Sequence, residues 1–233
     1  MLRELNLSPL WVRRDAPTGT GPAVPVPAAK ASAATVAAES GEQGREQRIA
    51  GLDWPELKAM VHDCTACKLR AGCTQTVFGV GDEKAEWLFV GEGPGADEDA
   101  QGEPFVGQAG KLLDSMLMSI GLKRGSNVYI ANIVKCRPPN NRNPEPDEIA
   151  TCLPYLQRQI ALIRPKIIVA LGKTAATSLL GRDATLGSLR GTVHDFHGTP
   201  LIVTYHPAYL LRSPAEKAKA WQDLLLAVQR MAQ

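Results

Sequence analysis

The segment Trp87-Leu-Phe-Val90 is an uninterrupted apolar run, and the glycine-rich segment Gly91-Glu-Gly-Pro-Gly95 follows it directly. A short apolar run bounded by glycine and proline predicts a strand that is buried on both faces. After it, apolar residues recur at helical spacing from Leu112 to Ile120. This order of strand, loop and helix predicts an α/β fold, in which helices cover both faces of a parallel sheet.

The same alternation continues toward the C-terminus. Apolar runs predict strands at 128–134, 167–171 and 201–204, and helical spacing predicts helices at 147–163, 174–180 and 215–230. Upstream, Asp53 followed by Pro55 and Glu56 forms a capping-box pattern, which predicts that the folded part begins near Leu52. Ligands bind at the carboxyl ends of the strands in such sheets, so the side chains that follow each strand are candidate site residues.

The first fifty residues differ from the rest in composition. Residues 1–15 contain a short apolar peptide, and residues 16–50 are rich in alanine and proline without apolar periodicity. We predict that 16–50 is a disordered linker, because it cannot bury enough surface to offset its ordering entropy. Residues 51–233 then form the folded domain. The N-terminal peptide either docks on a protein partner, folds back on the domain or is an idle tail.

Composition and charge narrow the function classes. No apolar run reaches the length of about 18 residues that a membrane span requires, and the N-terminus lacks the apolar block of a secretory signal. We therefore expect a cytoplasmic protein with reduced cysteines. Residues 51–131 carry 7 Lys and Arg against 12 Asp and Glu, or −5, whereas residues 132–233 carry 13 against 7, or +6. A basic half suits a phosphate backbone, although such asymmetry is common without function.

Four of the five cysteines have a spacing that suggests a metal site. Cys64 and Cys67 form a CxxC pair, whereas Cys136 follows a predicted strand and Cys152 lies inside the next predicted helix. Four such thiolates could bind Zn²⁺ or a [4Fe–4S] cluster, and the wide spacing of the second pair favours the cluster. Buried structural thiols are the alternative. Cys73 is close enough to Cys67 to compete as a ligand, so counting alone does not select the four.

The loop after the first strand, Gly91 to Asp99 (GEGPGADED), combines glycines with four carboxylates. The carboxylates would repel a phosphate, so this is a poor dinucleotide loop. A carboxylate such as Glu92 beside an exposed amide such as that of Gly93 suits water activation and a flat polar ligand. Phe105, between two glycines in GEPFVG, is either a stacking platform for that ligand or a packing plug.

The second and third strands are followed by polar loops. Asn132 offers one acceptor and two donors, which suits the edge of a pyrimidine, although asparagines more often form turns. Lys135, Arg137 and Arg142 in the following loop suit phosphates. Gly172-Lys-Thr174 is not a P-loop, because the position five residues before its glycine is Ile167, and Thr174 predicts a helix N-cap.

The fourth predicted strand ends just before His206, where a catalytic group would lie. We predict that Tyr209, Leu210 and Leu211 occupy an exposed loop beside Arg212. An apolar wedge next to a cation is what an enzyme needs to fill the gap left by a base extruded from DNA. The alternatives are a loop folded onto the core and a structural histidine.

Together these motifs resemble the family 4 uracil-DNA glycosylases, the iron–sulfur class. The resemblance covers roughly residues 52–230 and rests on GEGPGADED, GEPFVG, NIVKCRPPNNRNP, HPAYLLR and the cysteines between them. It implies a three-layer α/β/α sandwich around a four-stranded, mostly parallel sheet. It also implies a structural [4Fe–4S] cluster, with Cys73 as the spare cysteine and these four as ligands: Cys64, Cys67, Cys136 and Cys152.

The resemblance also assigns roles in the pocket. Glu92 and the backbone of Gly93 belong to the loop that positions water and contacts uracil, and Phe105 stacks on the base. Asn132 reads the Watson–Crick edge of uracil, and His206 donates to its O2 atom. Glu98 and Asn141 are candidates for supporting polar roles. From the residues themselves rather than from the resemblance, we predict DNA contacts for Tyr209, Leu210, Leu211, Arg212, Arg137 and Arg142.

The predicted function is hydrolysis of the N-glycosidic bond of uracil that is flipped out of single- or double-stranded DNA. We expect a monomeric, monofunctional enzyme, because no lysine is placed as a Schiff-base nucleophile. Two alternatives stay open: a DNA-binding protein without catalysis, and a glycosylase for hypoxanthine or xanthine. A redox enzyme is disfavoured, because the sequence has no flavin or nicotinamide fingerprint.

Overall fold

The structure, a computed structural model, describes residues 44–233. Its strands are β1 (Val80–Gly81), β2 (Trp87–Gly91), β3 (Val128–Asn132), β4 (Ile167–Leu171), β5 (Val193–Phe196) and β6 (Thr199–Thr204). Its helices are α1 (44–51), α2 (Trp54–His62), α3 (Ala96–Gln101), α4 (Gln108–Ser119), α5 (Pro146–Ile163), α6 (Lys173–Leu180), α7 (Leu186–Leu189), α8 (Pro207–Arg212) and α9 (Lys217–Met231). None of these helices is long and apolar enough to cross a membrane.

The strands form one sheet in the order β1-β3-β2-β4-β6-β5. Its four central strands are parallel and correspond to the four predicted strands, which confirms the α/β fold class. The predicted strand count was too low, because β1 and β5 add an antiparallel strand at each edge. The strand β1 has only two residues, and three of the four residues of β5 are not buried. Such strands lack the apolar run that reveals a central strand.

Alternate residues of each central strand point to opposite faces of the sheet. In β2, Leu88 and Val90 belong to the apolar core shared with α2, α5 and α6. Phe89 belongs to the core shared with α4, α8 and α9 on the other face. Both faces are therefore covered, and this produces the three-layer sandwich and explains why the strands are continuously apolar.

Two local predictions were wrong. Residues 44–50, assigned to the linker, form most of α1, because the buried side chain of Ile49 anchors this short segment to the domain. The helix α6 begins at Lys173 after Gly172, so Thr174 is not its N-cap. The rest of the linker and the peptide 1–15 lie outside the described residues.

Candidate active site

A pocket of about 410 Å³ lies at the carboxyl ends of β2, β3 and β6. We call it the strand-end pocket. The positions of the strands explain its composition, because parallel strands bring the residues that follow them to one edge of the sheet. It is lined by Glu92, Gly93, Pro94, Gly95, Glu98, Phe105, Ala109, Asn132, Pro138, Asn141, Arg142, Asn143, His206, Ala208, Tyr209 and Arg212.

His206 caps the N-terminus of α8 and lies deep in the strand-end pocket. Its Nδ1 accepts a hydrogen bond of 3.1 Å from the backbone N–H of Ala208. Burial, followed by the charge of Arg212, lowers the pKa of His206 to about 4, although Glu98 opposes the shift. The imidazole is therefore neutral at physiological pH, and because Nδ1 accepts, the proton sits on Nε2. Nε2–H is thus a fixed donor.

Phe105 adopts a positive φ of 56°, which is unusual for an aromatic residue. Its ring centroid lies 5.5 Å from that of His206. Arg124 donates hydrogen bonds to the carbonyls of Pro104 and Phe105 at 2.9 and 2.7 Å. A Cβ at Gly110 would lie 1.8 Å from the Phe105 carbonyl oxygen. Arg124 and Gly110 therefore support the aromatic residue, and both lie outside the motifs, so the motifs did not reveal them.

Asn132 is the last residue of β3, and it is 2% exposed. Its Oδ1 is buried and has no hydrogen-bond partner among residues 44–233. A buried acceptor without a partner is costly, so this atom is suited to a ligand that brings a donor. Lys135 does not face phosphates, contrary to expectation. Its buried Nζ donates to the Asn132 carbonyl at 2.9 Å and to Oε1 of Gln159 at 2.7 Å.

Glu92 and Glu98, which both lie between Gly91 and Asp99, have different environments. Burial raises the pKa of Glu92, while a hydrogen bond with Thr174 opposes the shift. Glu98 instead holds the loop together, since its carboxylate accepts from the backbone N–H groups of Gly95, Val106 and Gly107 at 3.0, 3.0 and 3.1 Å. Glu92 is the carboxylate with hydrogen-bonding capacity left for a ligand or water.

At the rim of the pocket, one of the residues that were predicted to contact DNA is not accessible to it. Tyr209 and Leu211 are 38% and 44% exposed, but Leu210 is 1% exposed and packs into the core. The segment is helix α8 rather than a loop, so consecutive side chains point in different directions. Leu210 therefore cannot act as a wedge.

Two of the predicted basic residues already have partners in the protein. Arg137 donates to Asn141 Oδ1 at 2.7 Å. Arg142 forms two hydrogen bonds with the carboxylate of Glu148, at 2.9 and 2.7 Å. Arg142 and Asn141 line the strand-end pocket, whereas Arg137 does not. Arg212 lines it as well and is exposed.

A second cavity, which we call the cysteine cavity, is lined by Cys64, Cys67, Cys136 and Cys152. The end of α2, the loop after β3 and helix α5 bring these four thiols together. Burial raises the pKa of Cys152 to about 11. Cys73 does not line this cavity, but its thiol lies next to that of Cys136, and its Sγ lies 3.7 Å from the Arg70 carbonyl oxygen.

Residues 78–225 match the family model described as "Uracil DNA glycosylase superfamily". This match covers more than half of the chain, and the chain, with its sheet between two helical layers and its strand-end pocket, is a member of this superfamily. The chain is 48% identical to a type-4 uracil-DNA glycosylase of Archaeoglobus fulgidus, in an alignment 162 positions long that covers 66% of this chain and 81% of the relative. Identity to the type-4 enzyme of Pyrobaculum aerophilum is 42%, over 75% and 93% of the two chains. Identity to that of Thermotoga maritima is 46%, over 68% and 83%. The chain belongs to the type-4 uracil-DNA glycosylases.

Proposed function

We propose that this protein removes uracil from DNA by hydrolysing the N-glycosidic bond and leaving an abasic site. One observation carries the proposal: the buried, unpartnered Oδ1 of Asn132 lies in the same pocket as the ring of Phe105 and the imidazole of His206. A flat base with one N–H flanked by two carbonyls fits this arrangement. A base in a duplex must be flipped out to reach such a pocket.

Asn132 gives the pocket its preference for uracil. Its Oδ1 would accept from N3–H of uracil, and its Nδ2 would donate to O4. Cytosine lacks the N3 proton and presents an amino group instead of O4, so it would leave both side-chain atoms mispaired in a buried site. Such mispairing is costly, and it discriminates strongly between substrates.

His206 and Glu92 would act on the two fragments of the breaking bond. Uracil leaves as an anion, and a hydrogen bond from Nε2–H of His206 to its O2 atom strengthens as charge accumulates there. A neutral imidazole suits this role, because it donates without giving up its proton. Glu92 would orient a water molecule toward C1′ and stabilise the positive charge on the sugar. No lysine lines the strand-end pocket within the described residues, which supports a monofunctional reaction without strand cleavage.

We also propose that Cys64, Cys67, Cys136 and Cys152 hold a [4Fe–4S] cluster. Four thiols around one cavity match the ligand set of such a cluster. In residues 44–233, no three His, Cys, Asp or Glu side chains are grouped so that they could hold a metal ion. When bound, the cluster would tie α2, the loop after β3 and α5 together, and the loop after β3 begins next to Asn132.

The first test is base release from a labelled oligonucleotide with one uracil, with alkali treatment as a separate step and thymine as the control. Strand breaks only after alkali, and only with uracil, would establish a monofunctional uracil glycosylase. Tight DNA binding without base release would instead support a binding protein. Release of hypoxanthine or xanthine but not of uracil would change the substrate. Single- and double-stranded substrates are run in parallel, and gel filtration tests the expected monomer.

A further inference from the structure

Helix α1 carries an arginine that reaches the edge of the cysteine cavity. Nη1 of Arg45 donates a hydrogen bond of 2.9 Å to the carbonyl of Thr151 in α5. Its Cζ lies 4.9 Å from the ring centroid of Tyr155. These two contacts fix the plane of the guanidinium against α5.

The other terminal nitrogen of Arg45 lacks a partner. Nη2 is buried and makes no hydrogen bond with any residue that the structure describes. A buried, charged N–H group without an acceptor is unfavourable. An arginine at this position is therefore explained if the protein with its cofactor bound provides an acceptor for Nη2.

The residues that surround Arg45 indicate which group could accept a hydrogen bond from its Nη2. A surface groove of about 530 Å³ is lined by Arg45, Arg48, Cys64 and Tyr155, among others, and Cys64 and Tyr155 also line the cysteine cavity. These two residues therefore border both the groove and that cavity, and the Arg45 guanidinium lies over the Tyr155 ring.

We infer that Arg45 is a positioning residue for the proposed cluster: its unpartnered Nη2 donates to the sulfur of Cys64 and its guanidinium closes the groove over that ligand. The inference rests on the proposed [4Fe–4S] cluster. Iron binding ionises the thiol, and a thiolate sulfur is a better acceptor for a cation than a thiol. Hydrogen bonds to ligand sulfurs stabilise a cluster and raise its reduction potential, and burial limits the access of oxidants.

The test uses the full chain with its cluster bound and compares Arg45→Gln with Arg48→Gln. Both variants lose one positive charge from α1 and from the same groove, but Arg48 is exposed. We measure the decay of the cluster absorbance in the presence of a chelator and a mild oxidant, together with the reduction potential. Arg45→Gln should bleach about tenfold faster than the wild type and have a lower potential. Arg48→Gln should stay close to the wild type in both readouts.

Arg45→Lys provides a second variant should Arg45→Gln fold poorly. A lysine keeps the charge but cannot bond the Thr151 carbonyl and Cys64 with two separate nitrogens, so we expect an intermediate bleaching rate at unchanged helix content. Equal bleaching rates and potentials for Arg45→Gln and Arg48→Gln, in protein that contains iron and sulfide, would overturn the inference alone. A wild-type chain without iron and sulfide would overturn the proposed cofactor and, with it, the inference.

Discussion

The ring of Phe105 and the imidazole of His206 lie side by side in the strand-end pocket, with centroids 5.5 Å apart and planes inclined by 31°. The two residues are 101 positions apart in the chain, and the sheet brings them together. In the proposed reaction, one ring stacks on the base while the other donates to its O2 atom. Their separate roles predict different kinetic consequences.

Replacement of Phe105 should weaken the capture of the flipped base. A stacked base contributes roughly 1–3 kcal/mol, so Phe105→Ala should lower kcat/KM for uracil release by about 10- to 100-fold. Phe105→Leu should lose less, because part of the apolar contact remains. Steady-state and single-turnover kinetics on a single-stranded substrate measure both. Phe196→Leu, which alters a buried aromatic residue outside the pocket, is the control and should leave kcat/KM unchanged.

Replacement of His206 should affect the chemical step and acid stability together. Loss of a donor to a developing oxyanion costs roughly 10²–10³ in kcat, so His206→Ala should lose activity in that range with a smaller change in KM. The pKa of His206 is lowered to about 4 from an ordinary value of 6.5, so the unfolded chain takes up a proton first as the pH falls. Stability due to the neutral imidazole is therefore present above pH 6.5 and is lost between pH 6.5 and 4.

The linked loss in the free energy of unfolding is about 1–2 kcal/mol between pH values of about 7 and 5. His206→Asn should thus show a smaller fall in melting temperature over this range than the wild type. His62→Asn is the control, since the His62 side chain is 80% exposed. An equal fall in melting temperature for His206→Asn and the wild type would contradict a neutral, partly buried imidazole.

Glu92 should set the acid limb of the pH–rate profile. The carboxylate is the active form, and burial raises its pKa, so activity should fall with decreasing pH at a higher value than an exposed glutamate would cause. Glu92→Gln should lower kcat by about 10²- to 10⁴-fold and remove this limb. The dependence of kcat on pH, from weakly acidic to weakly alkaline buffers, provides the measurement. A wild-type limb that persists unchanged in Glu92→Gln would assign the titration to another group.

Asn132→Asp should weaken the selectivity for uracil, because the substitution replaces the Nδ2 donor with a second oxygen that accepts hydrogen bonds. Asn132→Leu is the matched variant, since it removes both polar atoms at similar volume. We expect uracil release to fall by about 100-fold or more in both variants. The ratio of uracil to cytosine release should fall in Asn132→Asp, in which a polar group can still bond the amino group of cytosine. Matched oligonucleotides with uracil or cytosine measure this ratio, and unchanged selectivity in Asn132→Asp would show that another residue reads the base.

The cysteine cavity predicts a structural cofactor. Cys136→Ala should bleach the protein, lower its iron and sulfide content and reduce its melting temperature, because the tie between α5 and the loop after β3 is lost. Cys73→Ala is the matched variant: its thiol lies next to that of Cys136 but does not line the cavity, so all four proposed ligands remain and the protein should keep its colour and iron. Loss of activity in Cys136→Ala without bleaching would contradict the structural role of the cluster.

Much of the site could be predicted because its residues follow the strands directly. Glu92, Asn132 and His206 each stand at or just after the end of a parallel strand, and such ends converge in every sheet of this kind. Leu210 was wrongly predicted, because consecutive residues of a short helix divide between core and solvent, whereas a loop was expected there. Arg124, Gly110 and Arg45 were missed, because no local pattern in the sequence identifies the groups that they contact.

The amino-acid sequence by itself determined the parallel core of the sheet, the order of its main helices and the resemblance to one glycosylase family. Apolar runs, glycine loops and cysteine spacing are local properties of the sequence. They can be interpreted without the tertiary structure, because strands and helix caps form from residues that are close together in the chain. Only the tertiary structure decided the antiparallel edge strands, the buried position of Lys135 and the contact between α1 and the cysteine cavity. These depend on which surfaces meet after folding, since burial and hydrogen-bond partners are set by residues that lie far away along the chain.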